Sequence, residues 1–287
     1  MNKISVRATS SYFRWPALTF RRSIPSTWDE MQPADVWAAI DRLMTLEHPQ
    51  LVNLREMSRL PWSVWKRITD DQLFDMLHIL DWMEIDRTSP VPVCHKMMID
   101  DTMYHLPAAR FTNVTCLEYA LINDYYDAFI SGGDQMSQDK LISIMLRPAG
   151  INADTFSDKR VKLVSSAQAA TWLPDIAQLP AGIKAYITML ASANIQFIYD
   201  TYGDWIFKQV EPVTEDEDPL LSQEEDSGPD FRWWGTFMSI ASDLLFGNVE
   251  SVHHTDIHSI CQHLVMKKIQ YLKDKAAIDK ASNRHSV

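Results

Sequence analysis

The sequence predicts a mainly α-helical protein: a multi-helical body with a short irregular or extended N-terminal segment, plus a small C-terminal helical hairpin. Three observations lead there. Glycine is scarce, eight in 287 residues, well under the usual share of about 7%, and folds built on phosphate-cradling loops consume glycine. Ser/Thr-x-x-Glu/Gln boxes recur ahead of apolar runs, the mark of helix N-termini. The apolar runs themselves repeat at a spacing near 3.6 residues.

Residues 1–24 have only weak alternation, in Leu18, Phe20 and Ile24. Thr27 and Glu30 fit a capping box, and Pro33 suits a first helical turn, where its missing N–H is harmless. Val36, Trp37, Ile40, Leu43 and Met44 then mark a helix to about Leu46. A second box, Thr69 to Gln72, opens a helix carrying Leu73, Phe74, Leu77 and Leu80, ended by Pro90 and Pro92. No clear period follows as far as Thr112. The third box, Thr115 to Glu118, starts a helix closed by Gly132-Gly133, where a left-handed cap would fall. Residues 140–147 read as a short helix stopped by Pro148. Helical spacing returns over 161–172 and is clearest in Ile183, Ile187, Leu190, Phe197 and Ile198.

The net charge of −11 has one source. Residues 211–230 hold nine acids and no Lys or Arg; without them the 38 acids fall to 29, against 27 bases. With few large aliphatics and with Pro212, Pro219 and Gly228, this segment cannot bury enough surface to offset its ordering entropy, so a flexible linker is expected. The expected organisation is therefore a body over 1–210, an acidic linker over 211–230 and a helical module over 231–287. In that module Phe231, Trp234, Phe237, Met238 and Ala241 share a period, Gly247 fits a C-cap, and Thr255-Asp256 opens a last helix with Ile257, Ile260, Cys261, Leu264, Tyr271 and Leu272.

These features exclude several classes. A near-neutral body offers no field for nucleic acid. Three scattered cysteines, Cys94, Cys116 and Cys261, make no disulfide framework, so a reducing, cytoplasmic setting is expected. No apolar run approaches the length of a membrane span. The arginine-bearing, acid-free start has the composition of a transit peptide, but Trp15-Pro16 would interrupt its helix.

Catalytic candidates are thin. His254 and His258 are four apart, as in zinc sites on one helix face, followed by Cys261 and His263. The zinc-protease signature needs Glu after the first His, and Thr255 stands there, itself a candidate cap that would place His254 outside the helix. Neither Asp70-Asp71 nor Asp100-Asp101 makes a carboxylate dyad, since adjacent helical residues do not face each other. Ser131-Gly132-Gly133-Asp134 lacks the Lys-Ser/Thr of a phosphate loop. No cofactor and no metal ligand set is expected.

Residues 20–31 (FRRSIPSTWDEM) resemble the opening of proteins from phage and prophage tail gene clusters. Later blocks follow in compatible order. These are 113–129, with Glu118-Tyr119 ahead of Tyr125-Tyr126; 141–148, ending Leu146-Arg147-Pro148; and 179–207, from Leu179-Pro180 through Phe197 to Trp205-Ile206-Phe207. The terminal unit, with Trp234, Ala241-Ser242-Asp243, Val249 and Leu264, is similar to the small C-terminal module of tail assembly chaperones. The acidic segment departs from that pattern.

The resemblance implies a non-enzymatic assembly factor. It would bind a long helical tape-measure-type protein, and tail tube subunits as further partners, in the host cell cytoplasm. A structural tail or neck subunit is the alternative within the same setting, and a metal-dependent hydrolase using the C-terminal histidines is the alternative outside it. The terminal helices carry more large apolar groups than one hairpin buries against itself, so Trp234, Phe237, Leu264 and Tyr271 are the expected partner-binding residues.

Overall fold

The computed structural model describes residues 2–8, 18–150, 158–206, 232–243 and 245–285. The protein is mainly α, as the sequence predicts. The acidic segment 211–230 lies outside the described residues.

Strand β1 (Asn2–Ala8) pairs antiparallel with β2 (Leu18–Ile24). Helix α1 (Pro33–Thr45) starts on Pro33 as expected. The box proposed at Thr27 does not close: the Thr27 side chain caps nothing, and the Glu30 carboxylate instead accepts from the backbone N–H and hydroxyl of Ser26. Helices α2 (Pro49–Ser58), α3 (Trp62–Trp65) and α4 (Asp70–His78) follow. The Thr69–Gln72 box at the start of α4 forms in both directions. Ile24, Ala39, Leu54, Leu60, Val64, Met76, Leu80 and Met83 close a small first core around these helices. Helix α1 has two working faces, because Val36, Trp37 and Ile40 enter the larger central core instead.

The stretch without a period is a hairpin. β3 (Lys96–Ile99) pairs with β4 (Thr102–His105), and β5 (Arg147–Pro148) adds to β4 in the order β3-β4-β5. Asp100 and Asp101, φ 42° and 63°, form the two-residue turn. Two left-handed residues match the right-handed twist of a tight hairpin, and Asp tolerates that conformation.

The central core is built on α5 (Cys116–Gly132), α6 (Gln135–Met145) and α9 (Ala181–Ile206), with the short α7 (Ser166–Ala170) and α8 (Leu173–Ala177) between them. Gly133, at φ 64°, is the left-handed cap of α5. Helices α1 and α9 meet so closely that a Cβ on Gly182 would lie 2.5 Å from the Asp41 carbonyl oxygen. The Asp41 carboxylate accepts the Gly182 N–H (3.0 Å), capping the first turn of α9 from outside.

The C-terminal region forms three described helices, α10 (Arg232–Ser242), α11 (Val249–His254) and α12 (Ile257–His285). They do not close on themselves as a hairpin. Trp233, Phe237, Ile240, Val252, Ile257, Ile260 and Cys261 belong to the same core as α5 and α9. Backbone bonds complete the attachment: the Cys116 N–H donates to Thr255 O (2.9 Å), and the Ile257 N–H donates to Val114 O (3.0 Å). Gly247 has the expected positive φ (88°), but in the turn before α11 rather than at the end of α10.

Candidate partner-binding surface

The four residues expected to meet a partner have different fates. Phe237 is fully buried, stacked near Trp233, whose ring stands edge-on to Tyr119 at 5.0 Å between centroids. Trp234 is half-buried: its indole N–H donates to the Asp124 carboxylate of α5 (2.7 Å), and its ring lies against His253 of α11. Leu264 packs half-buried on the central core. Tyr271 alone of the four is exposed. Three of the four, expected to face a partner, are instead occupied within the chain. The helix phase explains it. Trp233, Phe237, Ile240 and Ala241 form the inner face, while Met238, grouped with Trp234 in the sequence reading, is exposed.

His254 and His258 do not share a helix face. His254 ends α11, and Asp256, not Thr255, caps α12 by accepting from the Ser259 N–H. A separate helix thus carries each member of the pair. His258 is engaged at both nitrogens, with Tyr202 Oη at 2.8 Å from Nδ1 and the Arg110 carbonyl at 2.8 Å from Nε2. Nε2 therefore donates to that carbonyl. Among the described residues no three His, Cys, Asp or Glu side chains converge as a ligand set. Cys116 and Cys261 are buried, and burial raises both thiol pKa values, Cys261 to about 12, so neither is an activated nucleophile.

A cluster that the sequence does not announce lies inside the body. Arg147 and Arg160, both fully buried, share the carboxylates of Glu118 and Asp158. Glu118 reaches Arg147 at 2.8 Å and Arg160 at 3.0 Å; Asp158 reaches Arg160 at 2.9 Å. Two positive and two negative charges balance. Burial and the neighbouring Arg160 bring the Arg147 pKa down to about 10, whereas at Arg160 the two carboxylates outweigh burial and raise it. Both guanidiniums stay charged at neutral pH. Glu118 was expected to close the box at Thr115. Thr115 does cap α5, accepting from the Glu118 N–H (3.4 Å), but the carboxylate turns inward to the arginines. Closed to solvent, the quartet braces α5, β5 and the 158–160 segment and offers no place for a substrate.

One cleft, of about 700 Å³, opens between α1, the β3–β4 hairpin and the start of α9. Trp37, Met97, Met98, Met103, Leu179 and Ile183 supply apolar walls. Of its carboxylates, Asp41 and Asp175 are engaged, by the Gly182 N–H and the Tyr104 hydroxyl, and Asp100 stands at the hairpin turn. The chain matches no family model, no curated protein and no solved structure. Among the described residues no helix is long and apolar enough to cross a membrane.

Proposed function

We propose that this protein is a non-enzymatic, chaperone-like assembly factor of phage tails. It acts in the host cytoplasm by covering apolar helices of a long tape-measure-type protein while tube subunits gather. The observation that carries the reading is the ordered set of blocks resembling tail-cluster proteins, from 20–31 through 179–207 to the terminal unit. Two features support it. His258 is engaged at both ring nitrogens within the chain, and among the described residues no three His, Cys, Asp or Glu side chains converge as a ligand set for the hydrolase alternative. Large apolar side chains also stand exposed on α12, at Met266, Tyr271 and Ile278.

Co-expression with a long helical tape-measure-type protein is the test. Co-elution, with the partner kept soluble, is the expected result. A partner that aggregates or elutes apart overturns the reading. Stoichiometric presence of the chain in purified particles would replace it with the structural-subunit alternative.

A further inference from the structure

Past Leu264, helix α12 changes character. Its 29 residues extend about 43 Å at 1.5 Å per residue, and its fully buried side chains, Ile257, Ile260 and Cys261, all lie in the first two turns. Beyond them Val265, Ile269, Leu272 and Ala276 recur at spacings of four, three and four, the apolar seam of a two-stranded coiled coil. Val265, Ile269 and Leu272 are half-buried, yet none packs into either core of the described residues.

The positions flanking this seam are basic. Lys268 and Lys275 fall on one side, Lys273 and Lys280 on the other, and no acid shares either flank. Lys273, Lys275 and Lys280 are exposed; Lys268 has contacts of its own within the chain. A second copy laid on the seam would set lysine against lysine whether parallel or antiparallel. Flank charges of one sign reject self-pairing and select a partner of the opposite sign.

We infer that the distal half of α12 docks an acidic amphipathic helix, apolar seam on seam, with Lys273, Lys275 and Lys280 paired to carboxylates beside the partner's seam. This rests on the proposed helix-binding role and adds the partner's chemistry. Two heptads are short, so binding is modest and salt-sensitive.

The test uses the full chain and two labelled synthetic helices of about 28 residues, long enough to hold helix, with the same Leu/Ile seam and either Glu or Lys at the flanks. The wild type is expected to bind the Glu-flanked probe about tenfold more tightly than the Lys-flanked one at low salt, a difference of about 1.4 kcal/mol. Lys273→Glu/Lys275→Glu/Lys280→Glu should reverse the order without moving the melting temperature, and Leu272→Ser should weaken both. Equal binding of the two probes, binding of neither, or an unchanged preference in the triple variant overturns the inference. So does binding to phosphatidylserine–phosphatidylcholine vesicles without binding to the acidic probe, or a concentration-dependent dimer that Leu272→Ser abolishes. The probes are independent of any tail protein. A chain that inverts its probe preference but never captures the long helical protein keeps the site and loses the assembly role. One that captures that protein while ignoring both probes keeps the role and loses the site.

Discussion

Helices α5 and α12 begin side by side, joined by the bridge between Thr115 and Asp256, and then part company. From Cys116 to Asn123 every residue of α5 is buried, polar ones included. Glu118 is neutralised by the arginines, and the Asn123 side chain donates to the Tyr119 carbonyl (2.8 Å). Helix α12 has an equally regular apolar period, but after Leu264 none of its described side chains is fully buried, and Lys273, Lys275 and Lys280 point to water. The difference lies less in apolar content than in whether the polar residues find partners inside. A helix wrapped by its own chain must satisfy its charges there; one held for another chain leaves them outside.

Several outcomes would break or sharpen that contrast. The largest concerns the attachment of the C-terminal helices. A chain ending at residue 210 removes Trp233, Phe237, Ile240, Val252, Ile257 and Ile260 from the central core, so it should lose the cooperative transition of the full chain, read by thermal denaturation. A protease site inserted within 211–230 should, after cutting, leave two fragments that co-elute. Separation of the fragments, with the first still cooperatively folded, would restore a free-standing body.

Next is Glu118→Ala, which leaves two buried arginines facing one carboxylate. Breaking a buried ion cluster by removing one partner costs about 3–5 kcal/mol, seen as a lower denaturant midpoint. A loss below 1 kcal/mol would mean that the quartet does not brace α5.

Gly182→Ala forces a methyl group against the Asp41 backbone. Overpacking of this kind costs about 1–3 kcal/mol, again read from the denaturant midpoint, and an unchanged midpoint would show that α1 and α9 shift apart freely.

A smaller effect is set by pH. Burial lowers the pKa of His105, helped by Lys159 and Lys96, and that of His253, helped by His254. The folded chain thus holds these rings neutral while the unfolded chain takes up protons near pH 6.5. The unfolded state then binds more protons, so stability should fall as pH drops below about 6.5 and level off once the folded-state values are passed. Melting temperatures between pH 7.5 and 5 check the sign. A rise on acidification, reversed by His105→Gln/His253→Gln, would contradict it.

Smallest of all, Tyr271→Ser and Ile278→Ser should each change stability by no more than about 0.5 kcal/mol, since both side chains are exposed. A larger loss would mean that the distal half of α12 is already covered by its own chain.

Much of the fold was legible where the signal is local. The Thr69–Gln72 box, Pro33 at a helix start and Gly133 at a helix end act within four residues, and each appears as read. The β3–β4 hairpin escaped notice because its strands are four residues long and its turn is Asp-Asp, without the glycine that usually announces such turns. Helix α2 escaped too, although Pro49 at its first position was a usable signal. The buried quartet was beyond local reasoning: its members stand at 118, 147, 158 and 160, and only tertiary packing unites them. Of the candidate site, Trp234 was read out of phase with the inner face, and Phe237, rightly read on the apolar face, looked free although it holds α10 in place. Tyr271 was placed on the right helix, while the basic flanks that give this helix its selectivity were in plain view as spacing.

The bridge between Thr115 and Asp256 also constrains the order of events during synthesis. The first core, drawn from residues 24–83, can close early on the emerging chain. The central core cannot: α5 shares its side chains and backbone bonds with residues 233–261, made more than a hundred positions later. Until then Tyr119 lacks Trp233, and Cys116 lacks its acceptor on Thr255. Long-range closure of this kind is slow and leaves apolar surface open meanwhile. On the ribosome this face of α5 therefore waits uncovered until residues 233–261 have emerged.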